Sequence, residues 1–253
     1  MSNVIAVLNQ KGGVGKTTST INIAAYLTKR GSTVLIVDLD PQGNATSGLG
    51  IAKQELETTM YDVLFGAVRP EQSIKETSIA GLYVLPANAQ LAAAEVDLAG
   101  EDKREFRLAT AIKQLEYDYI LIDCPPSLGL LSINALCAAQ SVLIPVQAEY
   151  YALEGLGQLL DVTQRVRHGL NPGLEILGVA VTMYDGRTSL SEQVLQELKK
   201  HFGAKLFSTV IPRNVRLAEA PSFGRSIMEH DKWSKGARSY KNLAKEIETR
   251  VGK

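Results

Sequence analysis

Lys11-Gly12-Gly13-Val14-Gly15-Lys16-Thr17-Thr18 lies between an apolar run, Val4-Ile5-Ala6-Val7-Leu8, and a segment of helical periodicity from Lys16 to Arg30. The run suits a strand buried on both faces of a parallel sheet. The segment after it carries Ile21, Ala24, Ala25 and Leu27 on one helical face, with Gly31 where a C-terminal cap belongs. Strand, glycine turn and helix N-terminus together make an anion cradle, in which successive backbone N–H groups converge and the helix dipole favours negative charge. Gly12, Gly13 and Gly15 allow backbone to approach a phosphate without an intervening Cβ, with Val14 and Thr18 completing the loop. Lys16 is placed to reach the β and γ phosphates and the Thr17 hydroxyl to ligate Mg²⁺. The strict phosphate-loop pattern fails at its first glycine, and the loop instead holds a second lysine, Lys11, five positions before Lys16.

Working outward, apolar runs recur at Val34 to Val37, Leu82 to Leu85, Tyr119 to Ile122, Val142 to Val146, Ile176 to Thr182 and Leu206 to Ile211. Helical periodicity fills Arg104 to Leu115, Leu153 to His168, Leu190 to Phe202 and Ala237 to Val251. Alternation of this kind predicts an α/β, single-domain P-loop fold over residues 1–253, with a mostly parallel central sheet covered by helices on both faces. No repeat or linker divides the chain. An apolar content of 45% is ordinary for a globular protein. There is no stretch of 18 apolar residues, and the first strand begins almost at the N-terminus, so neither a membrane span nor a signal peptide is expected and the chain reads as cytoplasmic. Cys124 and Cys137 have no metal-ligand spacing and read as buried apolar residues. Of 27 basic and 27 acidic residues, ten basic and five acidic lie from Arg213 onward, leaving seventeen and twenty-two before it. That surplus suits either a nucleic-acid footprint or a solvated helix face.

Ligands of such sheets bind outside the carboxyl ends of the strands. Val34-Leu35-Ile36-Val37 runs into Asp38 and Asp40, two carboxylates that share a direction while the strand continues. Tyr119-Ile120-Leu121-Ile122 ends in Asp123, the form of a Walker B carboxylate that holds Mg²⁺ directly or through its water. A third apolar run, ending Val210-Ile211-Pro212-Arg213-Asn214, brings Pro212 and Asn214 to the height expected for a nucleotide base.

Taken together, Lys11 to Thr18, Asp38-Leu-Asp-Pro-Gln-Gly-Asn44, Asp123-Cys-Pro-Pro-Ser127, Pro145 to Gly155 and Ile211 to Pro221 resemble the ParA/Soj chromosome-partitioning ATPases, in order and spacing, from the first strand to about Gly224. That family belongs to the deviant-Walker-A group, which also contains MinD and the nitrogenase iron protein. The resemblance implies an ATP hydrolase using ATP and Mg²⁺, slow, coupled to dimerisation and stimulated by a ParB-type centromere-binding protein. It implies a homodimer in the ATP state, with two nucleotides between subunits and Lys11 crossing to the partner's phosphates. Asp40 matches the water-positioning carboxylate, Asp38 its neighbour near the metal, and Pro212 and Asn214 the adenine-facing segment.

Arg213 and Arg216 fall where the resemblance implies dimer-dependent binding of double-stranded DNA without sequence specificity, and Arg187 is a candidate for the same surface. Arg225, Lys232, Lys235, Arg238 and Lys241 are further candidates. The ATP-bound form is then expected on the nucleoid, with a replication initiator a second candidate partner. The N-terminal DNA-binding extension of some plasmid partition ATPases is not expected. Two rivals are weighed. A MinD-like membrane-associated ATPase needs an amphipathic C-terminal helix, whereas Leu243 to Val251 has few aliphatics and two glutamates. A metabolic P-loop transfer enzyme needs an acceptor pocket or paired cysteines. The segment Glu149 to Gly155 fits a dimer interface or a packed helix start equally.

Overall fold

The computed structural model describes residues 2–149 and 152–252; of the segment Glu149 to Gly155, Tyr150 and Tyr151 lie outside that range, and only backbone is described for residues 152–154. Seven strands form one sheet: β1 (Asn3–Val7), β2 (Val34–Asp38), β3 (Lys75–Glu76), β4 (Leu82–Leu85), β5 (Tyr119–Asp123), β6 (Ser141–Gln147) and β7 (Glu175–Thr182). Their spatial order is β3-β4-β2-β5-β1-β6-β7, parallel throughout except for the short edge strand β3. The main helices are α1 (Lys16–Lys29), α2 (Arg107–Ile112), α3 (Leu130–Ala138), α4 (Ala152–Gly169), α5 (Ser189–Phe202) and α6 (Lys235–Arg250).

Alternate strand residues feed two separate cores. Val4, Ala6, Leu35, Val37, Ile120 and Ile122 pack with residues of α2 to α5, whereas Ile5, Val7, Ile36, Leu121 and Leu143 face α1 and α6. The sheet is thus covered on both faces. The buried residues Ala237, Tyr240, Leu243, Ala244 and Ile247 form one stripe of α6 against this second core. Burial of the Leu243 and Ile247 side chains contributes about 1.5–3 kcal/mol each. Tyr240 Oη adds a 3.0 Å hydrogen bond to Ser19 on α1, so α6 is packed on its own domain. Cys124 and Cys137 are both buried.

Pairing registers align the functional strand ends. Val7 pairs with Asp123, and Asp123 with Asp38, so the start of the glycine loop and two carboxylates lie side by side. A proline within central strand β6 would ordinarily interrupt a ladder. Here the Leu143 carbonyl accepts the Leu8 N–H at 3.1 Å and the Pro145 carbonyl accepts Asn9 Nδ2 at 2.7 Å. Both therefore face β1, and the N–H that Pro145 lacks falls where β1 has already ended.

Two elements differ from the expectation. Leu206 to Ile211 is not a strand: it meets β7 at one isolated bridge, Leu206 with Val179, and through two backbone hydrogen bonds, Phe207 N–H to Val179 O and Ile211 N–H to Val181 O, both 2.9 Å. Four residues of the segment thus span two of β7. The Ser208 and Thr209 N–H groups turn instead to the Glu246 carboxylate, each at 2.9 Å. Arg104 to Leu115 is a 3₁₀ turn, Arg104–Phe106, followed by α2. Buried Asn134 divides it, donating to Arg104 O at 2.8 Å and accepting the Leu108 N–H at 3.1 Å, in place of the direct helical bond between them.

Candidate phosphate-binding active site

The glycine loop leaves β1 and enters α1 through Gly13 at φ 74° and Gly15 at φ 88°, both in the left-handed region that side chains with a Cβ avoid. Thr182, at the end of β7, donates its Oγ1 to the Val14 carbonyl at 2.8 Å and so anchors the loop. Lys16 is buried and its Nζ reaches back to the Lys11 carbonyl at 3.2 Å. Burial lowers its pKa, opposed by the negative charge of Asp123.

Asp123 is fully buried and accepts Thr17 Oγ1 at 2.7 Å and Thr20 Oγ1 at 3.1 Å. Burial, reinforced by neighbouring Asp38, pushes its carboxyl up to about 8. Asp38 is pushed up to about 6 by burial, partly offset by hydrogen bonds from Thr46 and Asp40. The donor set fits Mg²⁺: a threonine hydroxyl and a carboxylate already in contact are hard oxygen ligands, and the charge they lack is a cation. No group of three or more His, Cys, Asp or Glu with metal-holding geometry occurs among the described residues. Such a site suits an ion that takes its remaining ligands from phosphates and water.

β2 ends at Asp38, so Asp40 is not a continuation of its strand face. The Asp38 Oδ2 accepts the Thr46 N–H at 2.8 Å and Thr46 Oγ1 at 2.6 Å, and Oδ1 accepts the Asp40 N–H at 3.3 Å. Thr46 Oγ1 in turn accepts the Ala87 N–H at 3.0 Å. Asp38 therefore clamps the turn on which Asp40 sits, and Asp40 Oδ1 accepts the Gln42 N–H at 2.9 Å. A cavity of about 350 Å³ beside the loop is lined by Gly15, Thr18, Thr182, Met183, Pro212 and Asn214 among others. It joins the two segments that the sequence assigned to phosphate and base.

A model of the AAA domain family matches residues 2–176. The chain is 55% identical over 249 residues to the sporulation initiation inhibitor protein Soj of Bacillus subtilis (strain 168), covering 98% of both chains. It is 48% identical over 251 residues to the chromosome partitioning protein ParA of Caulobacter vibrioides (strain NA1000 / CB15N), covering 98% of this chain and 94% of that one. This chain belongs to the ParA/Soj family of chromosome-partitioning ATPases. Among solved structures, cobyrinic acid a,c-diamide synthase from Mycobacterium smegmatis with bound ADP and magnesium shares the fold, with a TM-score of 0.88 and 38% identity across 100% of this chain and 97% of that chain.

In this ParA/Soj chain the outer cations are held differently from Lys16. Lys11 is half-exposed and pairs with Glu149 Oε2 at 3.1 Å, while Gln147 Nε2 holds the other oxygen of the same carboxylate. Arg187 forks onto Asp185 at 2.9 and 2.7 Å, and that bidentate contact holds the Asp185 carboxyl down at about 2. Arg216 meets Glu219 at 2.9 Å and Asp231 at 3.8 Å. Arg213 is exposed and its N–H donates to the Tyr184 carbonyl at 3.0 Å, which brings it beside the Arg187 loop. Asn214 caps the helix Val215–Glu219 through the Arg216 N–H at 2.9 Å. Sequence reasoning missed Thr182, Thr46 and Thr20 as supports of the site. Thr182 carried a legible signal, a polar residue ending an apolar strand; Thr46 and Thr20 carried none.

Proposed function

We propose that this ParA/Soj protein binds ATP with Mg²⁺, pairs face to face with a second copy across the two nucleotides, binds DNA without sequence preference in that state, and hydrolyses ATP to release it. Convergence of Lys16, Thr17 and Asp123 at the strand ends, with Lys11 in the same loop but turned to the half-exposed carboxylate of Glu149, supports the reading best. Lys16 reaches the β and γ phosphates. Thr17 and Asp123 hold Mg²⁺, which supplies charge neutralisation between the phosphates, and Asp38 stands behind them fixing the Asp40 turn. Asp40 orients the attacking water, as phosphoryl transfer requires positioning more than covalent chemistry. Lys11 leaves Glu149 for the partner's phosphates, adding a cation only when two chains meet. Pro212 and Asn214 face the adenine, and Arg187, Arg213 and Arg216 meet DNA phosphates. A ParB-type protein is the partner the family implies for stimulating turnover, and the nucleoid the place of the ATP-bound form.

Likeness to the synthase structure favours one second reading, a small-molecule transfer enzyme. ATP turnover without any acceptor separates the two. A membrane role has less support: α6 buries its apolar stripe internally, and no helix among the described residues is long and apolar enough to cross a membrane. The deciding experiment is sedimentation without nucleotide and with ADP, ATP or a slowly hydrolysed analogue, repeated with mixed-sequence DNA. Dimers and DNA complexes are expected only with ATP or the analogue; DNA binding indifferent to nucleotide would overturn the switch.

A further inference from the structure

Trp233 is the only tryptophan in the chain, and it is 80% exposed. Its position is fixed. The Trp233 N–H donates to Asp231 Oδ1 at 3.1 Å, Ser234 Oγ donates to the Asp231 carbonyl at 2.9 Å, and Ser234 Oγ also caps α6 by accepting the Ala237 N–H at 3.1 Å. The ring therefore projects from a rigid turn at the head of a sixteen-residue helix. Lys232 Nζ lies 5.3 Å from the ring centre, in cation–π range.

The helix behind the ring presents a single sign of charge. From Lys232 to Lys245 the sequence contains Lys232, Lys235, Arg238, Lys241 and Lys245 and no acidic residue. Spaced three or four apart, the last four form a stripe on the side of α6 opposite Ala237, Tyr240, Leu243 and Ile247. The two acids of α6 are engaged elsewhere, Glu246 with Ser208 and Thr209 and Glu248 with Arg30. Asp231, which holds the Trp233 turn, is also the residue that meets Arg216 Nε at 3.8 Å. An exposed aromatic, a cation over it and a basic stripe running away from it are complementary to a polyanion with flat apolar surfaces between its charges.

We infer that Trp233 is an aromatic contact to double-stranded DNA, packing its ring against the sugar edges of the duplex while Lys232 and the α6 stripe meet phosphates. This rests on the DNA-binding reading above and extends it from Arg213 and Arg216 across the turn into α6. Contact to sugar and backbone carries no base identity, so the ring adds affinity without sequence preference. Because Trp233 is the sole tryptophan, its emission reports on this one position. The protein with Mg²⁺ and a slowly hydrolysed ATP analogue is titrated with an unlabelled mixed-sequence duplex, following tryptophan emission, and separately with a dye-labelled duplex, following anisotropy. Emission should change along the anisotropy curve, and Trp233→Ala should weaken duplex binding roughly three- to tenfold, with Trp233→Phe restoring most of it. Dimerisation of both variants should match wild type. Unchanged emission with equal affinity of Trp233→Ala overturns this contact while leaving the DNA-binding reading intact. Absence of any duplex binding by anisotropy overturns that reading itself. An emission change with anionic phospholipid vesicles and none with duplex would assign the ring to a membrane and overturn the inference.

Discussion

Lys16 and Lys11 stand five residues apart in one loop, yet Lys16 is buried against backbone at the strand ends while Lys11 is half-exposed on a carboxylate of its own chain. The contrast extends beyond the two lysines. On the floor of the site Thr17, Thr20 and Asp123 are buried or nearly so and already in contact, and Asp38 clamps the adjoining turn. At the rim Lys11, Arg187 and Arg216 are each parked on a partly exposed acid, Glu149, Asp185 and Glu219. Exposed ion pairs contribute little and exchange partners readily. Under the proposed function, the preassembled floor would serve nucleotide binding in a single chain, and the rim cations would exchange their own acids for phosphates of a partner or of DNA.

The comparison breaks first at Asp40. If it acts only on the attacking water, Asp40→Ala should lower kcat about a hundredfold or more while the variant still binds ATP and dimerises; wild-type turnover would remove Asp40 from the chemistry. Next come the rim arginines: Arg213→Glu or Arg216→Glu should abolish retention on DNA in the ATP state with dimerisation unchanged, and wild-type binding should weaken steeply with salt. A salt-insensitive complex would place DNA elsewhere.

The floor has a pH signature. Asp123 binds its proton more tightly folded, near 8, than unfolded, near about 4, so its contribution to stability is fully present at low pH and lost as pH rises between those values. Nucleotide-free wild type should lose Tm from pH 5 to 8 more steeply than Asp123→Asn, and Mg²⁺ with nucleotide should flatten the difference. Identical slopes would show that Asp123 ionises normally. The smallest effect is expected at Glu149. Glu149→Gln removes the charge that holds Lys11, and the ATP-dependent dimer should form at roughly two- to fivefold lower protein concentration, measured by sedimentation; a weakened dimer would assign Glu149 to the interface instead.

Much of the floor was legible in the sequence because it is local: a strand, a glycine turn and a helix start announce themselves within thirty residues. Asp123 was legible because an apolar run ends on it. The rim was legible only as residue types. Nothing near Lys11 indicates Glu149, 138 residues away, and nothing in Leu206 to Ile211 shows that Glu246 draws its backbone out of the ladder. Asn134 splitting a helix at Arg104 is likewise a contact between distant segments, invisible to periodicity.

Sedimentation of Lys11→Ala beside wild type, with Mg²⁺ and a slowly hydrolysed ATP analogue, tests the division between floor and rim most directly. Wild type should shift to a dimer, and Lys11→Ala should remain a folded monomer that still binds the analogue. A Lys11→Ala protein that dimerises as wild type does would contradict it, and one that no longer binds the analogue would place Lys11 on the floor with Lys16.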